Sequence, residues 1–192
     1  MGLAEEKKAL RTRLRRKRRE IPEDVRKPLD DAIFRNVTQS WWFCDADTIL
    51  LYVSCGGEAD TVRIIAEALR LGKKVAVPKC GEHGAMEFYL ITGMDSLAAG
   101  AYGILEPTGT QKPDITPKTV CIVPAVAFTA RGERLGQGGG YYDRFLELHP
   151  QMQTIGICYS CMLLPELPCE AHDRRVDAVI TENNVEVCHG IQ

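Results

Sequence analysis

The densest chemistry in the chain lies in RLGQGGGYYDR, residues 134–144, where four glycines, two tyrosines and an aspartate stand between two arginines. Glycine lets the backbone take positive φ and lets a ligand approach closely. A glycine-rich turn that opens a helix also aims several free N–H groups at one point, where the helix dipole favours negative charge. Phosphate is the natural occupant. Arg134 adds a formal cation. Asp143, in the first helical turn, is placed as an oxygen ligand for magnesium beside bound phosphates. A tight strand-to-helix turn with a capping aspartate is the plainer reading, yet four glycines in five positions exceed what such a turn needs. No Lys-Ser/Thr pair follows, so the segment is not a Walker A loop. Its G-x-G-G-G spacing, late in the chain, also departs from a dinucleotide fingerprint.

A second cationic group lies at the start of the chain. Residues 7–19 hold nine Lys and Arg in thirteen positions, with no Gly or Pro. At about 100° per residue, Lys7, Leu10, Arg11, Leu14 and Arg18 share one narrow helical face. Leu10 and Leu14 should pack on the body and hold Lys7 and Arg11 against it, and two cations four residues apart can grip one polyphosphate. Arg13, Arg16 and Arg19 point elsewhere, into solvent. A basic surface helix and a helix for a nucleic-acid backbone are the rival readings, although no aromatic platform accompanies the charge.

Two carboxylate loops complete the candidates. EAHDRRVDAVITE, residues 170–182, offers Asp173 as an oxygen ligand for magnesium, while Asp177 reads as structural. SCGGEAD, residues 54–60, follows the first expected strand, and ligands of open α/β sheets collect outside such strand ends. Glu58 there can accept from an N–H-bearing ring, or it can be an ordinary acidic residue before a helix. Cys158, Cys161, Cys169 and His172 form a C-x2-C-x7-C-x2-H pattern that zinc could use, but the middle spacer is short and Cys158 falls in an expected strand.

These loops need a frame. Apolar runs at 47–54, 73–80, 86–91, 119–129, 153–160 and 175–182 read as strands, the last of them closing the fold. Helices are expected over 3–20, over 59–72 with Gly72 as its stop, over 141–149, and in a segment interrupted or started near Pro28. Continuous apolar strands alternating with helices give a three-layer α/β/α fold: one domain over 1–192, a mainly parallel central sheet and an N-terminal basic helix. The chain has 192 residues, 45% hydrophobic and 26% charged, enough for one real core. Net charge is −2, but residues 1–20 carry nine basic against three acidic residues, which points that segment toward an anion. No run reaches a membrane span and no secretory core opens the chain, so a cytoplasmic protein with mostly reduced, buried cysteines is expected.

With K-x-x-L-R at Lys7 to Arg11, YGILEP at 102–107 and HDRRVDAVITE at 172–182, the RLGQGGGYYDR segment resembles the 5-formyltetrahydrofolate cyclo-ligase family. The matching segments occur in family order and span nearly the whole chain. The resemblance implies an ATP- and magnesium-dependent closure of 5-formyltetrahydrofolate to 5,10-methenyltetrahydrofolate, with release of ADP and phosphate. It implies ATP contacts at Lys7, Arg11, Arg134, Leu135, Gly136, Gln137, Gly138, Gly139, Gly140, Tyr141 and Tyr142, with Arg134 and Tyr142 nearest the chemistry. Gln137 to Tyr141 would also face the folate. Val53 and Glu58 fall where the family meets the pterin and its formyl group, and Asp143 and Asp173 resemble its magnesium carboxylates. Thr129 stands where the family often has Asp, and Gln137 where an aromatic or basic residue is common. ATP and a reduced folate are the expected partners, with no nucleic acid, membrane or obligate protein partner. A relative that binds folate or nucleotide without turnover is the main alternative. Nucleic-acid binding through the basic helix is another. A sugar-phosphate isomerase or CoA-transferase relationship rests on fold analogy alone.

Overall fold

The computed structural model describes residues 2–81, 84–100, 104–170 and 172–188. Helix α1 spans Leu3–Arg19, α2 Glu23–Thr38, α3 Trp41–Asp45, α4 Val62–Arg70 and α5 Tyr141–Leu148. Strands β1 (Thr48–Leu50), β2 (Lys74–Cys80), β3 (Met86–Ile91), β6 (Thr119–Val123), β9 (Gln153–Ile157), β11 (Ala178–Ile180) and β12 (Val185–Val187) build one sheet. Its order is β12-β11-β9-β6-β1-β2-β3. The interior pairs are parallel, and the edge strands β3 and β12 run antiparallel to their neighbours.

The two-residue period of a strand divides the core in two. Ile49, Val75, Val77, Val120, Ile122, Ala178 and Ile180 face one side, against Ile33 and Val37 of α2, Phe43 of α3 and Ile64, Ile65 and Ala68 of α4. Leu50, Ala76, Cys121, Val123 and Val179 face the other, against Leu14 of α1 and Phe145 and Leu146 of α5. This is the expected α/β/α layering. The helix after the glycines thus lies in the same layer as the basic helix.

The expected strand over 119–129 breaks at Pro124. Proline has no N–H for a central ladder, so β6 ends at Val123 and the chain restarts as β7 (Ala127–Thr129). β7 joins a separate three-stranded sheet with β8 (Arg134–Leu135) and β10 (Leu163–Leu164). That small sheet lifts the glycine segment off the main one. Pro28, by contrast, neither starts nor interrupts α2: the helix begins at Glu23 and runs through it, at the cost of one i→i−4 bond. The run at 175–182 is not the last strand, because β12 turns back along β11. β4 (Leu97–Ala99) and β5 (Leu105–Pro107) pair antiparallel between β3 and β6, where no strand was expected. The first two residues of YGILEP fall outside the described residues. No helix among the described residues is long and apolar enough to cross a membrane.

Candidate active site

β1 and β6 are neighbours, yet the chain leaves β1 toward β2 and leaves β6 toward β9. The connections diverge there, which opens a crevice beyond the carboxyl ends of the two strands. The loop after β1 carries Glu58 to that crevice. The segment after β6 supplies Ala125, Val126, and then the β7–β8 hairpin with the glycine loop.

Arg134 is buried at the start of β8, and its Nη2 donates to Asp143 Oδ1 at 2.5 Å. Leu135 is spent on the fold: its side chain is in the core and its carbonyl accepts from Val126 N. Gly138 has φ 104° and Gly140 φ 67°, both in the region that favours glycine. Gly140 sits at the N-cap of α5, and a Cβ there would meet Arg144 Nη1 at 2.7 Å. Arg144 holds the loop from outside, donating to Gly139 O and, across to the β2–β3 turn, to Gly84 O. Tyr141, Tyr142 and Asp143 then form the first turn of α5, beside its unpaired N–H groups.

One face of α1 lies along this loop. Lys7 Nζ donates to Asp173 Oδ2 at 2.6 Å and Glu170 Oε2 at 2.7 Å. Arg11 Nε donates to Gly136 O at 2.7 Å. Arg15 Nε and Nη2 donate to Gln137 Oε1 at 3.0 and 2.5 Å. Arg18 Nη2 lies 3.5 Å from Glu58 Oε1. The sequence turned Lys7 and Arg11 toward the body, where both lie, and left Arg13, Arg16 and Arg19 to solvent, where all three are exposed. It gave no role to Arg15 or Arg18, although Arg18 shares the wheel position of Lys7.

The two expected metal carboxylates are linked. Asp143 Oδ1 accepts from the backbone N–H of Arg174, the residue after Asp173, at 3.0 Å. Asp173 Oδ2 also accepts from Glu170 N. Among the described residues the one group of three ligand-bearing side chains within 4.8 Å is Glu170, His172 and Asp173, and Asp143 stands outside it. The carboxylate oxygens suit a hard cation such as magnesium. The C-x2-C-x7-C-x2-H residues do not gather into such a group: Cys158 is buried, while Cys169 and His172 are exposed. Burial alone would raise the Asp173 pKa, but the hydrogen bonds from Lys7 and Glu170 N outweigh it and hold the carboxyl below its ordinary range. Burial likewise pulls the Lys7 pKa down, and its bonds to Asp173 and Glu170 reverse the direction.

On the other side of the crevice Glu58 Oε2 accepts from Cys55 N at 3.1 Å, and Gln137 Nε2 approaches Oε1 at 3.4 Å. Gln137 therefore bridges Arg15 and Glu58. Val53 is half-buried against the core on the α2–α4 face. A small cavity here is lined by Arg18, Tyr52, Glu58, Ala125, Val126 and Tyr159, among others. Three buried polar atoms have no partner among the described residues: Arg18 Nε, Arg134 Nε and the Tyr142 hydroxyl. Arg18 lines this cavity, and its unpartnered Nε is what is expected of a group kept for a ligand. Burial drives the Tyr142 pKa well above its ordinary value, so the phenol is a proton-bearing donor across the physiological range.

The 5-formyltetrahydrofolate cyclo-ligase family model matches residues 3–182. The chain belongs to that family. A probable 5-formyltetrahydrofolate cyclo-ligase of Caenorhabditis elegans is 31% identical over 166 residues, covering 79% of this chain and 81% of that one. The 5-formyltetrahydrofolate cyclo-ligase of Escherichia coli is 34% identical over 147 residues, covering 73% and 80%. The NMR structure of Aquifex aeolicus 5,10-methenyltetrahydrofolate synthetase matches with a TM-score of 0.85 at 31% identity, covering 97% of this chain and 94% of that one. A cyclo-ligase fold therefore frames the crevice, and the resemblance of its motifs extends over the whole architecture.

Proposed function

We propose that this chain is an ATP- and magnesium-dependent cyclo-ligase, one domain over residues 1–192, that converts 5-formyltetrahydrofolate to 5,10-methenyltetrahydrofolate. The observation that carries the reading is the path of α1. Its inward face runs from the Asp173 loop, along the glycine loop, to Glu58, so one rigid element touches both halves of a two-substrate crevice.

In this reading the ATP phosphates lie over the glycine loop and the N-terminus of α5, gripped by Lys7, Arg11 and Arg134. Glu58 takes the pterin N–H donors, with Val53 and Tyr141 as walls. The terminal phosphoryl group passes from ATP to the formyl oxygen, turning a poor leaving group into phosphate. The folate's N10 nitrogen then attacks the activated carbon, the ring closes and phosphate departs. Such transfer needs positioning and charge neutralisation more than a protein nucleophile. Tyr142 offers its hydroxyl as a donor, and Arg134 offers its unpaired Nε. Asp143 and Asp173 would hold magnesium, which when bound neutralises phosphate charge. Four cations of α1 are turned inward to the body, which leaves nucleic acid out of the reading. No membrane or obligate protein partner enters it either. A cytoplasmic location is part of the reading; the cysteines are free, but only Cys121 and Cys158 of the eight are buried, against the expectation that most would be.

The test is absorbance at the methenyl band after mixing protein, 5-formyltetrahydrofolate, magnesium and ATP, with an ATP-free control. An ATP-dependent rise is expected. A flat trace from folded protein would sink the proposal.

A further inference from the structure

Arg18 stands three turns along α1 from Lys7, so its Cα lies roughly 16 Å further down the helix. It belongs to the other end of the crevice. Its side chain and that of Glu58 are each only 8% exposed. Nη2 lies 3.5 Å from Glu58 Oε1, Nη1 reaches Ala125 O at 3.4 Å, and Nε has no partner among the described residues. Both side chains line the same small cavity, with Tyr52 and Tyr159. A guanidinium withdrawn from water needs a counter-charge, and a loose fit with spare donors costs stability. Such an arrangement suits a group that positions a neighbour for a ligand.

We infer that Arg18 is a positioning residue for the folate half of the site, holding the Glu58 carboxylate ionised and turned toward the ring's N–H donors. The inference rests on the cyclo-ligase reading, in which Glu58 receives the pterin.

The surroundings of Glu58 decide which groups can do this. Burial pushes its pKa up, and the Cys55 N–H, Arg18, Gln137 and Arg15 oppose the rise. Arg15 and Arg18 face it from α1, Tyr52 and Cys55 from the loop after β1, Tyr142 from α5 and Tyr159 from beyond β9. The tyrosines and the cysteine are neutral near pH 7. Arg15 is engaged by Gln137 and acts through that amide. Arg18 is therefore the direct counter-charge. Without it, Glu58 would hold its proton to higher pH. A protonated acid would present an O–H where the ring needs an acceptor.

The experiment uses the full chain with 13C-labelled glutamate carboxyls, the Glu58 signal being the one lost in Glu58→Gln. Carboxyl titration of wild type, Arg18→Met and Arg18→Lys is followed by steady-state kinetics at several pH values. In Arg18→Met the Glu58 midpoint should rise by about one unit or more. The KM for 5-formyltetrahydrofolate should rise on the order of tenfold, with the KM for ATP unchanged and the acid limb of kcat/KM moved upward. Arg18→Lys should recover most of the midpoint. Arg18→Gln serves if the methionine variant does not fold. An unmoved Glu58 midpoint in an active enzyme overturns the inference. Equal losses in both KM values also overturn it, because they describe a helix anchor. A wild type that forms no methenyl product removes the cyclo-ligase reading itself, and the folate role of Arg18 with it.

Discussion

The Lys7 ammonium lies 2.6 Å from the Asp173 carboxylate, so a cation proposed for ATP phosphate is seated on a carboxylate proposed for magnesium. Lys7 is 6% exposed, so its ammonium meets mainly protein partners. Lys7→Met should raise the KM for ATP on the order of tenfold. It should also cost about 1–3 kcal/mol of stability, since Glu170 and Asp173 are only partly buried. Asp173 is held below its ordinary 3.8, so its contribution is present above that pH and lost as pH falls through the depressed folded value. Lys7 is held above 10.5, so its contribution is complete below that pH and lost only as pH rises through the raised value. The stability gap between wild type and Lys7→Met, read from urea unfolding, should stay constant across the neutral range and shrink in strong acid. A gap that shrinks near pH 6 would contradict the pairing.

Arg134 and Asp143 repeat the pattern at 2.5 Å, with the guanidinium side chain 3% exposed. The two cations proposed for phosphate are therefore capped by the two carboxylates proposed for magnesium, and on that reading ATP and magnesium should enter as an exchange of partners. Asp143→Asn frees Arg134. Calorimetry with chelator present should show Mg-free ATP binding more tightly to the variant than to wild type, and the gain in affinity on adding magnesium should be largely lost. Leaving Arg134 buried without a carboxylate should lower stability by about 3 kcal/mol. Full magnesium enhancement in Asp143→Asn would remove Asp143 from the metal site.

The layers of the fold were legible because both faces of the sheet are buried, which makes strands continuous apolar runs. The cationic face of α1 was legible because a 3.6-residue period needs no partner to be seen. Arg15 and Arg18 were missed for a physical reason. Their partners, Gln137 and Glu58, are distant in sequence, and only the break at Pro124 swings the glycine loop over the helix. β8 and β10 are two residues each, too short to carry a period. Glu170 was passed over because the lysine that gathers it with Asp173 lies more than 160 residues away.

Tyr142 is a buried phenol whose hydroxyl has no hydrogen-bond partner among the described residues. An unsatisfied buried hydroxyl costs about 1–3 kcal/mol, so Tyr142→Phe should leave stability unchanged or raise it. If the hydroxyl is kept for the substrates, kcat/KM should fall on the order of tenfold. A higher melting temperature with lower activity would mark a group stabilised only by its ligand. Equal activity would make Tyr142 a packing residue.

Gly140 turns the loop into α5 with φ 67°, and a Cβ there would press on Arg144. Gly140→Ala should cost about 1–2 kcal/mol from the left-handed backbone alone. The displacement of Arg144 should also loosen its bonds to Gly139 O and Gly84 O. ATP affinity is expected to fall more than folate affinity, because the proposed phosphate site lies on this turn. Isothermal titration with each substrate separates the two, and a selective loss for folate would misplace the phosphates.

Thr129 stands where the resemblance implies an aspartate, and the β7–β8 turn shows what the hydroxyl does here. It accepts from Arg131 N and Glu133 N and donates to Glu133 Oε2 at 3.0 Å. Glu133 is 8% exposed and also receives Arg131 and Arg175. An aspartate could accept the two amides but would set a second carboxylate against Glu133. Thr129→Asp should therefore lower stability by about 1–3 kcal/mol through like-charge repulsion in a poorly solvated turn. The double variant Thr129→Asp, Glu133→Gln should recover most of that loss, since the amide can donate to the new carboxylate. Thermal unfolding of the two variants and of Glu133→Gln alone closes the cycle. Independent, additive losses would show that the hydroxyl and Glu133 are not coupled, and the departure at Thr129 would then have to act on the glycine loop that β8 leads into.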